Sequence, residues 1–352
     1  PTHAHANQAA FYLAEALVQL GRLDEATPHF HDYVDTDPNG RFAAPALFRL
    51  GEAAHLAGKH DVARKELERF LTTFPDHKLC VYALPLLGEI ALAHGEPEAA
   101  EKYFRHGLNQ FPQADTQDRC RFGLARALEK QAKREEAERL FLAVAAKPAS
   151  PLADDAQFRL AALLYASGRL VEALDAFDAF DQALAESPRR SRARLGYGWT
   201  MFKLGRLAEA RSVFQSIASE PEVAAEARYW VGLTEKQQED WAAAAQTLLE
   251  AARDYPNHKL TAALRFHAGD ALVWAGELTE AKSQFDLVLA AGDAQWADDA
   301  LRGKLQVAVR LKDHAAIDRL SDRFAERFPD SPLQSDVRRM LVRSLIQREE
   351  HQ

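Results

Sequence analysis

The chain has 352 residues, 47% hydrophobic and 27% charged, with a formal net charge of −8. That balance supports a continuous buried core and excludes a disordered chain, and no run approaches the roughly 18 uninterrupted apolar residues of a membrane span. Two cysteines, Cys80 and Cys120, are too few for a disulfide framework or a cysteine-rich zinc site. They are read as two buried small residues, with a single bridge as the alternative.

In chain order the sequence predicts nine helix–turn–helix repeats, at 4–38, 41–75, 78–112, 115–149, 151–188, 191–221, 223–256, 259–292 and 295–329, then a terminal helix at 332–348. The signal is a recurring punctuation. Gly21, Gly58 and Gly95 fall 37 residues apart, as do Gly168 and Gly205, and Ala132 keeps the beat between them. Glu239, Gly276 and Lys312 occupy the same slot further on. Five residues after each slot stands an alanine: Ala26, Ala63, Ala100, Ala137, Ala173, Ala210, Ala244 and Ala281. The ninth repeat has Ile317 there. Such a period marks one supersecondary unit copied along a solenoid, each copy burying its apolar face against its neighbours.

Residues 41–77 show how one unit is written. Ala46, Leu47, Leu50, Ala53 and Ala54 follow helical spacing, and so do Val62, Ala63, Leu67, Phe70 and Leu71. Gly58 ends the first helix, because glycine takes the left-handed cap conformation at low cost. Ala63 is expected where the two helices approach most closely. Phe74-Pro75 closes the unit, as do Phe111-Pro112, Tyr255-Pro256 and Phe328-Pro329. Asp154-Asp155 and Asp298-Asp299 lie early in their helices, where carboxylates favour the macrodipole and need no catalytic reason.

Two departures are expected. In the fifth repeat the second helix is read as extended to Glu186, with Ser187-Pro188 late and the next first helix short, so a bend is expected near 181–192. The sixth repeat closes early at Pro221. There is no initiator Met, Pro1 falls in the closing-proline slot of a preceding repeat, and 332–348 reads as a first helix without its second. The chain is accordingly expected to be part of a longer protein.

These residues resemble the tetratricopeptide repeat. Its pattern is met by Leu47, Leu50-Gly51, Ala54, Gly58, Ala63, Leu67 and Pro75, and again by Leu84, Leu87-Gly88, Ala91, Gly95, Ala100, Phe104 and Pro112. The resemblance covers the whole chain and implies an all-α, right-handed α-solenoid. The period departs from the family's usual value of about 34. The longer variant resembles repeats of bacterial cell-envelope proteins of the BamD and YbgF/CpoB types, which implies a periplasmic or envelope setting in preference to the cytoplasm.

The resemblance also places the first helices on a concave ligand-binding face. The positions it marks include Phe122, Arg126, Phe158, Arg159, Tyr165, Arg192, Trp199, Phe202, Tyr229 and Trp230. Basic residues concentrate nearby, six between 119 and 134 against Glu129 alone, and six between 189 and 206 with no acid. Arg beside exposed aromatics suits an acidic or carboxylate-terminated peptide, while the acidic chain argues against nucleic acid. Packing is the competing explanation for the aromatic stripe. No phosphate-cradling loop, H-E-x-x-H or G-x-S-x-G motif is present, and the thirteen histidines are scattered. No catalytic residue, metal, cofactor or small-molecule substrate is therefore expected. The favoured function is a non-enzymatic scaffold holding a protein or peptide; the alternatives are a structural spacer or self-assembling solenoid, and a module delivering substrates to an enzyme domain outside this segment.

Overall fold

The computed structural model describes residues 2–349, with side chains from 7 to 348. Pro1, and the slot assigned to it, lies outside the described residues. Among those residues there are nineteen α-helices and no strand. In sequence they pair as α1 (Thr2–Gln19) with α2 (Leu23–Thr36), α3 (Ala43–Leu56) with α4 (His60–Thr73), α5 (Cys80–Ala93) with α6 (Pro97–Gln110), and α7 (Gln117–Lys130) with α8 (Arg134–Ala145). There follow α9 (Ala153–Ala166) and α10 (Leu170–Ala183), α11 (Arg190–Lys203) and α12 (Leu207–Ser216), and α13 (Ala224–Gln237) and α14 (Trp241–Asp254). The last pairs are α15 (Thr261–Ala275) with α16 (Leu278–Ala291) and α17 (Ala297–Leu311) with α18 (His314–Arg327), before the terminal α19 (Gln334–Glu349). The fold is an all-α solenoid of helix pairs. Its helices divide into two compact units, with the division in sequence between Gly168 and Arg169.

Every slot in the sequence beat is a left-handed residue. Gly21, Gly58, Gly95, Gly168, Gly205 and Gly276 have φ between 72° and 88°, and the non-glycines at the same slot adopt it too: Ala132 at 60°, Glu239 at 61° and Lys312 at 55°. At Gly58 the chain closes with Gly58 N–H on His55 O (3.0 Å) and Lys59 N–H on Ala54 O (2.8 Å). These bonds satisfy carbonyls that the end of a helix would otherwise leave bare. The alanine five residues later is fully buried in all eight repeats that have it, and Ile317 is 1% exposed in the ninth.

One position of the second helix, nine residues after the left-handed slot, brings a large residue into the core in eight repeats; the ninth has Ser321 there. Phe30, Leu67, Phe104, Phe141, Phe214 and Leu248 have no exposed surface, and Phe285 has 1%. Glycines in the first helices make room for them. A Cβ on Gly51 would stand 2.4 Å from Leu67, and one on Gly232 would stand 2.4 Å from Leu248. Glycine at this position is thus a packing device, in which its missing side chain admits the neighbour's bulk.

The join between repeats carries a further regularity. The C-cap residues Phe74, Phe111, Tyr255 and Phe328 have φ between −132° and −123°. Six residues on, a side chain reaches back to donate to the cap's carbonyl: the Cys80 thiol to Phe74 O (3.2 Å), Gln117 Nε2 to Phe111 O (2.8 Å), Thr261 Oγ1 to Tyr255 O (2.7 Å) and Gln334 Nε2 to Phe328 O (2.8 Å). Both cysteines are free and buried. Burial pushes the Cys120 thiol up to about 11.

The extension expected in the fifth repeat is absent. α10 ends at Ala183, and Leu184 takes the C-cap at φ −125°, where other repeats have an aromatic. Ala185 replaces the closing proline, which removes the stop signal from the sequence without altering the backbone. Ser187-Pro188 is in register with Ser331-Pro332: Ser187 N–H bonds Leu184 O (3.0 Å) as Ser331 N–H bonds Phe328 O (3.2 Å). The following α11 is not short either, at 14 residues. The real shortening is in the sixth repeat, where α12 has only 10 residues.

Candidate functional site

In the N-terminal unit the first helices α1, α3, α5 and α7 line two adjoining cavities. One of about 450 Å³ is bounded by Phe11, Glu15, Phe48, Arg49, Lys78, Tyr82, Leu86 and Arg119 among others. The other, about 820 Å³, is bounded by Tyr82, Glu89, Arg119, Phe122 and Arg126, with the 147–152 segment as its far wall. Tyr82 and Arg119 belong to both. Tyr82 is 41% exposed, an aromatic surface left open to solvent. Cavities of this size, mostly apolar with a few charged groups, suit ligand side chains.

The arginines in this face are mostly committed. Arg49 bridges Glu15 (2.8 Å) and Glu52. Arg126 pairs with Glu89 (3.0 Å) and its guanidinium lies 6.0 Å from the Phe122 ring. Arg159 pairs with Glu129 (3.4 Å). Lys147 is held by Asp118 (2.6 Å). Lys78 and Arg119 make no ion pair among the described residues, so they are the cations open to a ligand. Phe122 is only 8% exposed and packs edge-on to Phe141, 5.7 Å away, so it is core with one face on the cavity. Phe158, Arg159 and Tyr165 are half-buried and do not line either cavity. Burial raises the Tyr165 phenol above its ordinary range.

In the C-terminal unit the expected aromatics do come together, but around the core. Trp230 stacks on the buried Phe214 at 6.0 Å and also meets Trp199 (6.1 Å), Phe202 (5.3 Å) and Tyr229 (5.8 Å). All four are half-buried, and the Trp199 indole N–H is buried with no acceptor among the described residues. Arg192, expected to be open, is clasped by Glu226 (2.9 Å) and Glu222 (3.2 Å). Lys236 pairs with Asp270 (2.6 Å) and lies 3.1 Å from His267 Nδ1. Burial, then the Lys236 charge, lowers the His267 pKa to about 3 against the opposing pull of Asp270.

Of the residues expected from the sequence, Phe122 and Arg126 line these cavities; Tyr82, Lys78 and Arg119 line them without having been singled out. In other repeats the Tyr82 position is Pro45, Arg119, Asp155 and Arg192, so no aromatic pattern marks it. Among the described residues no cluster of three or more His, Cys, Asp or Glu is arranged to hold a metal, and no helix is long and apolar enough to cross a membrane.

Helix pairs repeated in register, presenting ligand-sized cavities on the face of their first helices, define a helical-repeat interaction scaffold. The chain belongs to the tetratricopeptide repeat family, whose sequence profiles match residues 2–41, 48–115 and 122–180, then 174–230 and 226–258. No curated protein matches it in sequence. Among solved structures it is similar to a tetratricopeptide repeat protein from Parabacteroides merdae, at 16% identity and a TM-score of 0.54 over 75% of this chain and 98% of that one. It also aligns with PilF of Pseudomonas aeruginosa (19% identity, TM-score 0.49, 62% and 94% covered). PilW, a widely conserved type IV pilus biogenesis factor, aligns at 18% and 0.49 over 61% and 93%.

Proposed function

We propose that the chain is a non-catalytic scaffold that holds an extended segment of a partner protein against the first-helix face of its N-terminal unit. The observation that carries this reading is the pair of adjoining cavities joined by Tyr82 and Arg119. An apolar side chain of the ligand enters each cavity, and a carboxylate between them meets Arg119 and Lys78, which make no ion pair among the described residues. Arg126 shapes the wall through Glu89 and Phe122 rather than binding the carboxylate itself. The 37-residue period supports the bacterial cell envelope as the setting.

The test is selection of peptides from a random display library on the purified chain, then titration against Tyr82→Ala and Arg119→Glu. Selected peptides should carry an acidic residue flanked by apolar ones. Each variant should weaken them by about tenfold at unchanged helicity, since neither side chain supports a neighbour through an ion pair. Peptides that bind both variants as they bind the parent would overturn the proposal.

A further inference from the structure

On the side of the solenoid formed by second helices, a cleft recurs between successive repeats in a fixed register. Four residues before the left-handed slot, one before it, one after and four after, the lining is Ala54, Ala57, Lys59 and Val62 between the first and second repeats. It is Leu272, Ala275, Glu277 and Glu280 between the seventh and eighth. Between the eighth and ninth it is Ala308, Leu311, Asp313 and Ala316. The three clefts have volumes of about 210, 540 and 280 Å³. The lining register is therefore shared by these three junctions, while volume and charge differ from place to place.

That charge differs sharply. In the first cleft Lys59 is neutralised by Asp24 at 2.8 Å. The second is lined by the carboxylates of Glu250, Glu277 and Glu280 against Arg253 alone. The third gathers Lys282 from α16, Lys304 from α17 and Arg319 and Arg323 from α18. Arg319 and Arg323 are four apart and so share one face of their helix. Lys304 is held by Asp286, but Lys282, Arg319 and Arg323 form no hydrogen bond or ion pair among the described residues. Asp313 is the one carboxylate in the lining; it caps α18 by accepting from Ala316 N–H at 3.0 Å and makes no ion pair with these three cations, which leaves the lining with an excess of positive charge. Beneath the cations the floor is apolar: Val307, Ala308 and Leu320 are 2%, 4% and 8% exposed.

Three unpartnered cations over an apolar floor repel one another, and a bound anion removes that repulsion. A volume of about 280 Å³ is near the lower limit of small-molecule pockets, roughly 300 Å³. It accommodates one ring or short acyl group and leaves no room for a helix. We propose that the cleft between the eighth and ninth repeats binds a small amphiphilic anion, a phosphate monoester or carboxylate carrying one apolar group. The apolar group lies on Val307, Ala308 and Leu320, and the anion meets Arg319, Arg323 and Lys282. This site stands apart from the peptide groove and does not depend on it.

The experiment is calorimetric titration of the whole chain with phenyl phosphate, inorganic phosphate and benzyl alcohol. Phenyl phosphate should bind at one site, about tenfold or more tighter than either of the others, and weaken as salt rises. Arg319→Gln with Arg323→Gln should lose about tenfold in affinity with an unchanged circular dichroism spectrum, as should Lys282→Gln from the opposite helix. Arg253→Gln, in the acidic cleft one repeat earlier, should change nothing. Absence of saturable binding, inorganic phosphate binding as tightly as phenyl phosphate, or binding that survives the double substitution would each overturn the proposal. A phosphotyrosine peptide that binds about tenfold tighter than phenyl phosphate would also overturn it, in favour of a protein partner.

Discussion

The ring of Phe104 in α6 ends against the backbone of Gly123 in α7, one repeat further on, where a Cβ would stand 2.2 Å from ring atom Cζ. Gly88 of its own repeat meets the same end of the ring, at 2.5 Å. Phe285 repeats the arrangement with Gly269 (2.7 Å) and Gly303 (2.5 Å). One second-helix side chain therefore ties two first helices together, and the two glycines are both needed.

Gly123→Ala sets two effects against each other. Helix propensity favours alanine by about 0.5–1 kcal/mol, but overpacking a rigid ring against a helix backbone costs about 1–3 kcal/mol. The steric term is the larger, so the variant should be less stable, with a lower urea midpoint. Phe104→Leu in the same chain should recover part of the loss, since Leu67 fills the corresponding place beside Gly51. An unchanged midpoint would mean the ring does not sit there.

The left-handed slot gives a cleaner backbone test. Around Gly95 (φ 73°) a Cβ would meet nothing within 4 Å, so Gly95→Ala should cost about 1 kcal/mol through conformation alone. Ala132→Gly, at φ 60°, should gain about 0.5–1 kcal/mol, the relief of strain being partly offset by a more disordered unfolded chain. Thermal unfolding of the pair checks both signs. A loss of stability in Ala132→Gly would contradict the assigned conformation.

His267 should make the C-terminal unit sensitive to acid. Its folded pKa, about 3, lies below the ordinary imidazole value of 6.5, so the folded state favours the neutral ring. The associated stability is fully present above about pH 6.5 and is lost as the pH falls toward about 3. Lys236 and Asp270 are the charged groups facing the ring, with Tyr229, Phe266 and Trp296 around it. His267→Phe should flatten the dependence of melting temperature on pH across that window. In the parent chain the imidazole proton resonances should stay fixed down to about pH 4; titration near 6.5 would contradict the burial.

Arg126→Glu should do more than remove a positive charge. It sets a carboxylate against Glu89 in a pair whose side chains are 33% and 25% exposed. A pair this accessible is worth at most about 1 kcal/mol, so a loss of about that size is expected in chemical denaturation. Glu89→Arg in the same chain should restore it. Failure of the swap to recover stability would mean the pair is not coupled.

Periodicity made the helices legible, including three left-handed slots filled by Ala132, Glu239 and Lys312, because a slot can be counted even when its residue is unusual. The closing of α10 was hidden for the opposite reason: Leu184-Ala185 forms the same cap as Phe74-Pro75 with neither signal residue. The candidate site was read less well. Glu89 lies 37 residues from Arg126 and Glu226 lies 34 from Arg192, so the carboxylates that occupy these arginines come from neighbouring repeats and leave no local trace. Aromatic spacing marked Trp199 and Trp230 without distinguishing a surface from packing around Phe214.

The donors at the start of the first helices have a consequence for how this chain can be handled. Cys80, Gln117, Thr261 and Gln334 differ in size and polarity, and what they share is a proton given to the carbonyl behind them. Cys80→Thr should therefore keep the bond and the fold. The remaining native thiol, Cys120, is buried and stays protonated at neutral pH. A cysteine introduced at an exposed position would then be the sole reactive sulfur in the chain. Spectroscopic labels can be placed one at a time along either face without rebuilding the protein around them.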